Sequence, residues 1–292
     1  MVNDALAGAA TIAGQPEDDA LAEIFARLAL DAGAEIMRVF ATHPQMRVKR
    51  DSSPVCDADL FGEEVILNGL ARLAPLPIVA EELCAFGNIP VLDGGDFVLV
   101  DALDGTKEFM LQRDCFTVNI ALIRAGAPVV GVVYAPARGD LYVAGRSARA
   151  CSVAPGASLP PPSLWRQIQT RPMPERGAIA LTSRSHADTG SGEFLARMPV
   201  GEVITTGSSL KFCLIAASEA DVYPRFCRTM EWDIAAGDAI LRRAGGVVTD
   251  PSGAPMTYGK VADEFANGPF IAWGDPKAAK AFTRPASGDA AR

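Results

Sequence analysis

The chain has 292 residues, 49% of them hydrophobic, and carries 27 Lys and Arg against 35 Asp and Glu for a formal net charge of -8. That length supports a large core at the size where one core divides into two packed halves. An acidic chain with no basic run longer than two residues, as at Arg242 and Arg243, argues against binding a nucleic-acid polymer or an anionic membrane by surface charge, so an anionic ligand needs a metal ion or a local basic pocket.

The six cysteines are scattered without a C-x-x-C pair, which points away from a zinc site or a disulfide framework and toward a reducing cytoplasm. The first residues carry no Lys or Arg ahead of their apolar letters and then turn acidic, the wrong charge order for a signal peptide. No stretch approaches the roughly 18 apolar residues of a membrane span, although peripheral membrane association is left open.

In chain order, residues 1–17 are expected to be flexible. "DDALAEIFARLALDAGAEIMRVF" then places Leu21, Ile24, Phe25, Leu28, Ile36, Met37 and Phe40 at three-and-four spacing, which predicts an amphipathic helix. A second helix, "DADLFGEEVILNGLARLAP", stops at Pro75, and "PIVAEEL" follows as a strand ending on two glutamates. "DFVLVDALDGT" reads as a buried strand breaking into a glycine turn. "FTVNIALIRAGAPVVGVVYAPARGDLYVAG" reads as three strands separated by turn residues.

The Pro, Gly and Ser-rich "CSVAPGASLPPPSLWRQ" is expected to mark the passage from a first half, 18–150, to a second, 151–275. The second half alternates strand-like runs such as "AIALTS" and "FIAWG" with helical ones such as "SSLKFCLIAAS" and "WDIAAGDAILRRAG". This alternation favours a layered α/β region there. Residues 276–292 read as a tail that frays at its end.

The chemistry is carried by acidic residues at element ends: Glu81, Glu82, Asp101, Asp104 and later Asp233. Such a cluster is repulsive without a cation, and oxygen ligands in a chain with two histidines suit a hard ion, Mg²⁺ acting on a phosphate. The Leu103 carbonyl offers a further oxygen. Gly105 lets the backbone approach a ligand, and Thr106 brings a hydroxyl and an amide to the start of a helix. The plainer reading of "DALDGT" is an exposed Asx-type turn. The neighbouring "EE" and the later "EWD" weigh against it, because several acidic residues at element ends are costly to bury without a cation. Of the glutamate pair, Glu82 is the weaker candidate, because one of two neighbouring acidic residues often simply faces solvent.

"VAEEL", "DALDGT" and "EWDIAAGDAILRRAGG", in this order across residues from about 20 to 275, resemble the inositol monophosphatase superfamily, whose markers are a metal-binding Glu-Glu, a D-P-[LI]-D-G-T turn and a W-D-x-A-A-G helix. Within it the chain is most similar to the bacterial 3'(2'),5'-bisphosphate nucleotidases of the CysQ type, through "DGTKEF", "FTVNIALI", "GVVYAPA", "SRSH", "GSSLKFCLIA" and "DVYPRF". Ala102 stands where the family has proline, and Cys56 where threonine is common.

The resemblance implies the fold class α/β (α+β), a layered αβαβα sandwich with an α+β first half and an α/β second half and the site between them. It implies two or three Mg²⁺ held by Glu81, Asp101, Asp104 and Asp233 and by the Leu103 carbonyl, with Asp59 and Thr106 orienting and deprotonating the attacking water. These ligands also face the substrate. Gly105 and Thr106 would donate to the phosphate being cut, while Lys107, Ser183, His186, Ser209, Lys211 and Arg225 would serve the nucleotide or its second phosphate. His186 beside Arg184 is also a common loop arrangement, and Arg225 can equally be structural. Trp232 and the cysteines read as packing, with Cys56 near Asp59.

The implied reaction is removal of the 3'-phosphate of adenosine 3',5'-bisphosphate or of 3'-phosphoadenylyl sulfate. The alternatives are an inositol-1-phosphate or fructose-1,6-bisphosphate phosphatase of the same fold, and a non-catalytic metal-binding protein, which would have no use for a water-activating pair. A small phosphorylated substrate is the expected partner. The sequence admits a homodimer without specifying one.

Overall fold

The computed structural model describes residues 16–45, 47–48, 54–73, 76–185 and 188–283; the expected flexible start up to residue 15, His186 and the residues beyond 283 lie outside the described residues. In chain order the elements are α1 (Pro16–Phe40), β1 (Arg47–Val48), β2 (Pro54–Val55), α2 (Asp57–Leu70), β3 (Ile78–Ala80), α3 (Glu81–Ala85), β4 (Phe97–Asp104) and α4 (Thr106–Met110). There follow β5 (Thr117–Arg124), β6 (Ala127–Ala135), β7 (Asp140–Ala144), β8 (Ala148–Ser152), β9 (Arg166–Gln167), β10 (Ala178–Ser183), α5 (Thr189–Leu195), β11 (Val200–Thr206), α6 (Leu210–Ala216) and β12 (Val222–Arg225). The chain continues through β13 (Thr229–Met230), α7 (Glu231–Arg243), β14 (Val247–Thr249), β15 (Ala266–Asn267), β16 (Phe270–Trp273) and α8 (Pro276–Phe282).

Two large sheets organise these elements. The first has seven strands in the order β3-β4-β5-β6-β7-β8-β9, and the second has five in the order β11-β10-β12-β16-β14. Strands β4, β5 and β6 are buried along almost their whole length. They read as near-continuous apolar runs because both faces of the sheet are covered, which removes the polar alternation of a half-exposed strand. One face carries α1 and α2, where Phe25, Ile36, Ile66, Val118 and Tyr134 share a cluster. The other face meets α6 and α7, whose Phe212, Ala235 and Ile240 pack between the two sheets. Helices α5 and α8 close the outer face of the second sheet with Phe194, Ala278 and Trp273. The layers therefore run α-β-α-β-α, as expected from the sequence.

Three differences from the sequence reading have physical causes. The first sheet continues past residue 150, because β9 pairs with β8 and Trp165 is buried with its indole N–H donating to the Pro160 carbonyl at 2.9 Å. The Pro-rich stretch is thus the connection from β8 to the edge strand β9, and its prolines lie outside the ladder, where they remove no donor. The residues from 276 form a capped helix rather than the start of a tail: Asp275 accepts from the Lys277 N–H, and Phe282 stacks on Trp273 with centroids 6.3 Å apart. Finally, strand β3 ends at Ala80, so Glu81 and Glu82 open helix α3, where the dipole favours acidic residues, rather than ending a strand. Among the described residues, no helix is long and apolar enough to cross a membrane.

Candidate active site

The two aspartates of "DALDGT" are three apart, and on a regular strand such residues point to opposite faces. The β4–β5 ladder pairs Asp101 with Asn119 and then Asp104 with Thr117, so one extra residue on β4 is taken up in a bulge. The bulge restores the parity, and both carboxylates line one cleft. Asp101 Oδ1 accepts from the Leu103 N–H at 2.9 Å, which holds the turn. Asp104 Oδ2 accepts from the Ser209 N–H at 2.5 Å, which ties the turn to the second half. Gly105 adopts φ +95°, and an added Cβ would have 3.4 Å of room; glycine is required there by the left-handed backbone rather than by crowding.

Thr106 then opens α4. Its hydroxyl lies 3.0 Å from Asp59 Oδ1 and 3.3 Å from the Leu103 carbonyl. Asp59 sits in the first turn of α2, where its other oxygen accepts from the Cys56 N–H at 2.8 Å and from the Cys56 thiol at 3.0 Å. Burial pushes the Asp59 carboxyl up to about 6, against the pull of those hydrogen bonds, and the nearby Glu81 charge adds to the rise. Burial first, and then the Asp59 charge, push the Cys56 thiol up to about 12, so it remains a protonated donor.

Carboxylate oxygens of Glu81, Asp101 and Asp233 all lie within 4.8 Å of one another. Three elements deliver them: the start of α3, the bulged end of β4, and the first turn of α7, where Asp233 Oδ2 accepts from the Met230 N–H at 2.8 Å. Burial raises Asp101 well above the usual carboxylate range, and the charges of Glu81, Asp104 and Asp233 raise it further. Asp233 is pushed up to about 8 by burial and then by Asp104 and Glu81. Asp104 is also raised by burial, opposed chiefly by Lys211. An all-oxygen, buried and mutually repelling donor set is what a hard divalent cation fits.

A linkage prediction follows. Carboxylates whose folded values lie above their unfolded ones hold extra protons in the native state between about pH 4 and pH 8, so stability falls as pH rises through that window. In EDTA the Tm is expected to drop between pH 5 and pH 8, and Asp233→Asn to flatten the drop. A Tm that is level across this range in EDTA would contradict the electrostatic account.

The cleft encloses about 740 Å³, and Glu81, Asp101, Asp104, Gly105, Thr106 and Asp233 are among the residues that line it. Part of the lining is aromatic, with the rings of Trp232 and Phe265 in contact at 6.1 Å between centroids. Glu231 fixes this wall: its carboxylate accepts from the Gly259 N–H at 2.7 Å and the Lys260 N–H at 3.0 Å, and its own N–H donates to the Phe265 carbonyl at 2.8 Å.

Of the residues singled out in the sequence, Lys107, Ser183, Ser209 and Arg225 also line the cleft. The Ser209 hydroxyl, however, is turned inward onto Asn119 at 2.6 Å and Thr117 at 2.8 Å, so this residue meets the site through its backbone. Lys211 is 1% exposed and absent from the cleft wall. Its ammonium donates to the Ser208 carbonyl at 2.6 Å and lies 4.9 Å from the centre of the Tyr223 ring. Burial pulls it down to about 8, with Asp104 opposing, so it acts as a counter-charge behind Asp104 instead of reaching a ligand. Glu82, the weaker candidate of the pair, does not face solvent: it is 5% exposed, and its N–H donates to Glu63 Oε2 at 2.8 Å. The sequence reading missed Arg228, Glu108 and Ser185 on the cleft wall. Glu108 and Ser185 lie inside the quoted "DGTKEF" and "SRSH", but a motif does not say that the two side chains meet across the halves, and nothing in the local pattern marks Arg228.

A family model described as the inositol monophosphatase family matches residues 17–281. The chain belongs to this family. Members of the inositol monophosphatase family are metal-dependent phosphatases, and the chain is such an enzyme. It is 40% identical over 238 residues to the 3'(2'),5'-bisphosphate nucleotidase CysQ of Escherichia coli K12, covering 80% of this chain and 91% of that protein. It is likewise 40% identical over 242 residues to the protein of the same name from Salmonella typhimurium, with the same coverage. Among solved structures, CysQ from Bacteroides thetaiotaomicron superposes with a TM-score of 0.71 at 33% identity, covering 86% of this chain and 96% of that one. An inositol monophosphatase from Anabaena superposes with a TM-score of 0.69 at 25% identity, covering 92% and 98%.

Proposed function

We propose that the chain hydrolyses the 3'-phosphate of adenosine 3',5'-bisphosphate, and of 3'-phosphoadenylyl sulfate where it is supplied, using two or three Mg²⁺ in a reducing cytoplasm. The relatives' printed names support the substrate class, and one observation on this chain carries the choice: the cleft that gathers the carboxylates is also lined by three cations, Lys107, Arg225 and Arg228. Lys107 and Arg228 make no ion pair among the described residues, and the Arg225 Nε is buried without a hydrogen-bond partner. A second phosphate gives these cations an anion, with the paired N–H geometry that guanidinium offers. An inositol monophosphate leaves them unmatched.

Glu81, Asp101 and Asp233, with Asp104 and the Leu103 carbonyl, are the residues that would hold the ions. Bound divalent cations supply neutralisation of the phosphate charge and a lowered pKa for water. The chain supplies the rest. Thr106 Oγ1 orients the attacking water and passes its proton toward Asp59 Oδ1, a carboxyl whose raised value suits a base working near neutrality. The Gly105 and Thr106 amides donate to phosphate oxygens, and the aromatic wall excludes solvent around the remainder of the ligand.

The test is a substrate panel with Mg²⁺. The value of kcat/KM for adenosine 3',5'-bisphosphate is expected to exceed that for inositol-1-phosphate by on the order of a hundredfold, the size of one or two charge-assisted contacts. Arg228→Ala is expected to narrow the ratio by weakening the bisphosphate alone. Equal or better turnover of inositol-1-phosphate or fructose-1,6-bisphosphate would leave the family assignment and remove the nucleotide reading.

A further inference from the structure

Glu108 follows Lys107 on α4 and is 1% exposed, yet it belongs to the cleft wall. Its carboxylate accepts from Arg113 Nη1 at 2.8 Å and from the Ser185 hydroxyl, with the Cys115 thiol 3.8 Å away. Arg113 and Cys115 lie between α4 and β5 in the first half, whereas Ser185 lies just beyond β10 in the second. A third segment closes on the same side chain. A Cβ added to Gly207 would stand 2.8 Å from Glu108 Cγ and 2.7 Å from the Cys115 carbonyl, so the backbone ahead of α6 approaches as closely as glycine permits. Two residues on, the Ser209 N–H holds Asp104. Burial pushes the Glu108 carboxyl up, but the hydrogen bonds from Arg113 and Ser185 and the charges of Arg113 and Arg184 prevail and leave it lowered.

A buried anion satisfied from both halves is a fixed strut, because removing one partner of such a network leaves a desolvated group unpaired. We propose that Glu108 is a specificity-determining positioning residue, which through Ser185 and Gly207 sets how far the segment after β10 stands from the carboxylate-bearing turn. It thereby sets the width of the cleft where the organic part of the substrate lies. This rests on the nucleotide reading given above. A small monoester engages only the carboxylate end and does not sense this width, whereas a nucleotide reaches along the wall formed by Ser183, Ser185 and Gly207.

The experiment compares adenosine 3',5'-bisphosphate with 4-nitrophenyl phosphate, with Mg²⁺, in the wild type, Glu108→Ala, Glu108→Gln, Ser185→Ala and the Glu108→Ala/Ser185→Ala double variant. In Glu108→Ala the KM for the bisphosphate is expected to rise about tenfold, the size of a lost hydrogen bond to a charged group. Its kcat, and kcat/KM for 4-nitrophenyl phosphate, are expected to stay within about twofold. Glu108→Gln keeps an acceptor for Ser185 and is expected to recover most of the KM, and the double variant to be no worse than Glu108→Ala alone.

Equal losses on both substrates, a fall in kcat alone, or an unchanged KM would overturn the proposal. Should Glu108→Ala fail to fold, Ser185→Ala carries the test by itself, with the same KM rise expected. If the wild type prefers inositol-1-phosphate, the substrate reading falls by itself, and the KM for the bisphosphate set against that for 4-nitrophenyl phosphate across the variants still decides the role of Glu108.

Discussion

Replacing Asp104 with asparagine is expected to lower kcat by a factor on the order of 10³ or more while the protein stays folded, the size of losing a charge that offsets the phosphate in the transition state. Asparagine keeps the shape and an oxygen that can accept from the Ser209 N–H. Two electrostatic changes oppose each other in the fold: the variant relieves repulsion with Glu81, and it strips Lys211 of its counter-charge. The net change in Tm in EDTA is therefore expected to be a few degrees at most. EDTA is expected to silence the wild type and Mg²⁺ to restore it. Zn²⁺ is not expected to be needed, since the cluster offers no nitrogen or sulfur ligand. Wild-type turnover by Asp104→Asn with Mg²⁺ would remove Asp104 from the site.

The second large effect concerns the pair joined at 3.0 Å, Thr106 and Asp59. Thr106→Ala and Asp59→Asn are each expected to lower kcat by roughly 10²- to 10⁴-fold, the range of general-base catalysis. The double variant is expected to lose little more than the worse single one, because groups that act on one proton are not additive. Losses that multiply would separate the two roles. Activity should rise with pH as Asp59 deprotonates, so kcat is expected to show an acid limb at or below about 6, since a neighbouring cation favours the carboxylate form. Asp59→Asn should lack that limb.

The site could be read from the sequence where its residues sit at element ends with short-range spacing. Glu81, Asp101, Asp104, Gly105, Thr106 and Asp233 meet in one cleft because helix starts and a strand end are local features that a motif captures. Burial was harder to read. Lys211 looked like a ligand group because it stands in the "GSSLKF" segment of the resemblance, which gives its position but not its exposure. Its partners, Ser208 and Asp104, come from its own helix start and from the other half of the chain, and no spacing announces the latter. The same long-range pairing hid Glu108, whose bond to Ser185 spans 77 positions. In the fold, the long helices and strands followed from periodicity and their layering from the resemblance, whereas β9 escaped because two residues paired at a sheet edge leave no pattern.

The bulge in β4 makes chain length, not side-chain identity, the quantity held fixed between the two aspartates. Ala102 stands where relatives of this turn type have proline, and it fits without disturbance: it is 3% exposed, turned toward Gly62 of α2 and away from the cleft. A residue pointing that way can be exchanged for another of similar volume. Deleting it, or inserting a neighbour, would instead reverse the facing of everything downstream on the strand. Asp104 would then turn toward the α2 layer, and the Ser209 amide would lose its acceptor. Natural variation at this turn should therefore consist of substitutions at position 102 with no insertions or deletions, and single-residue indels there should be among the least tolerated changes in the chain.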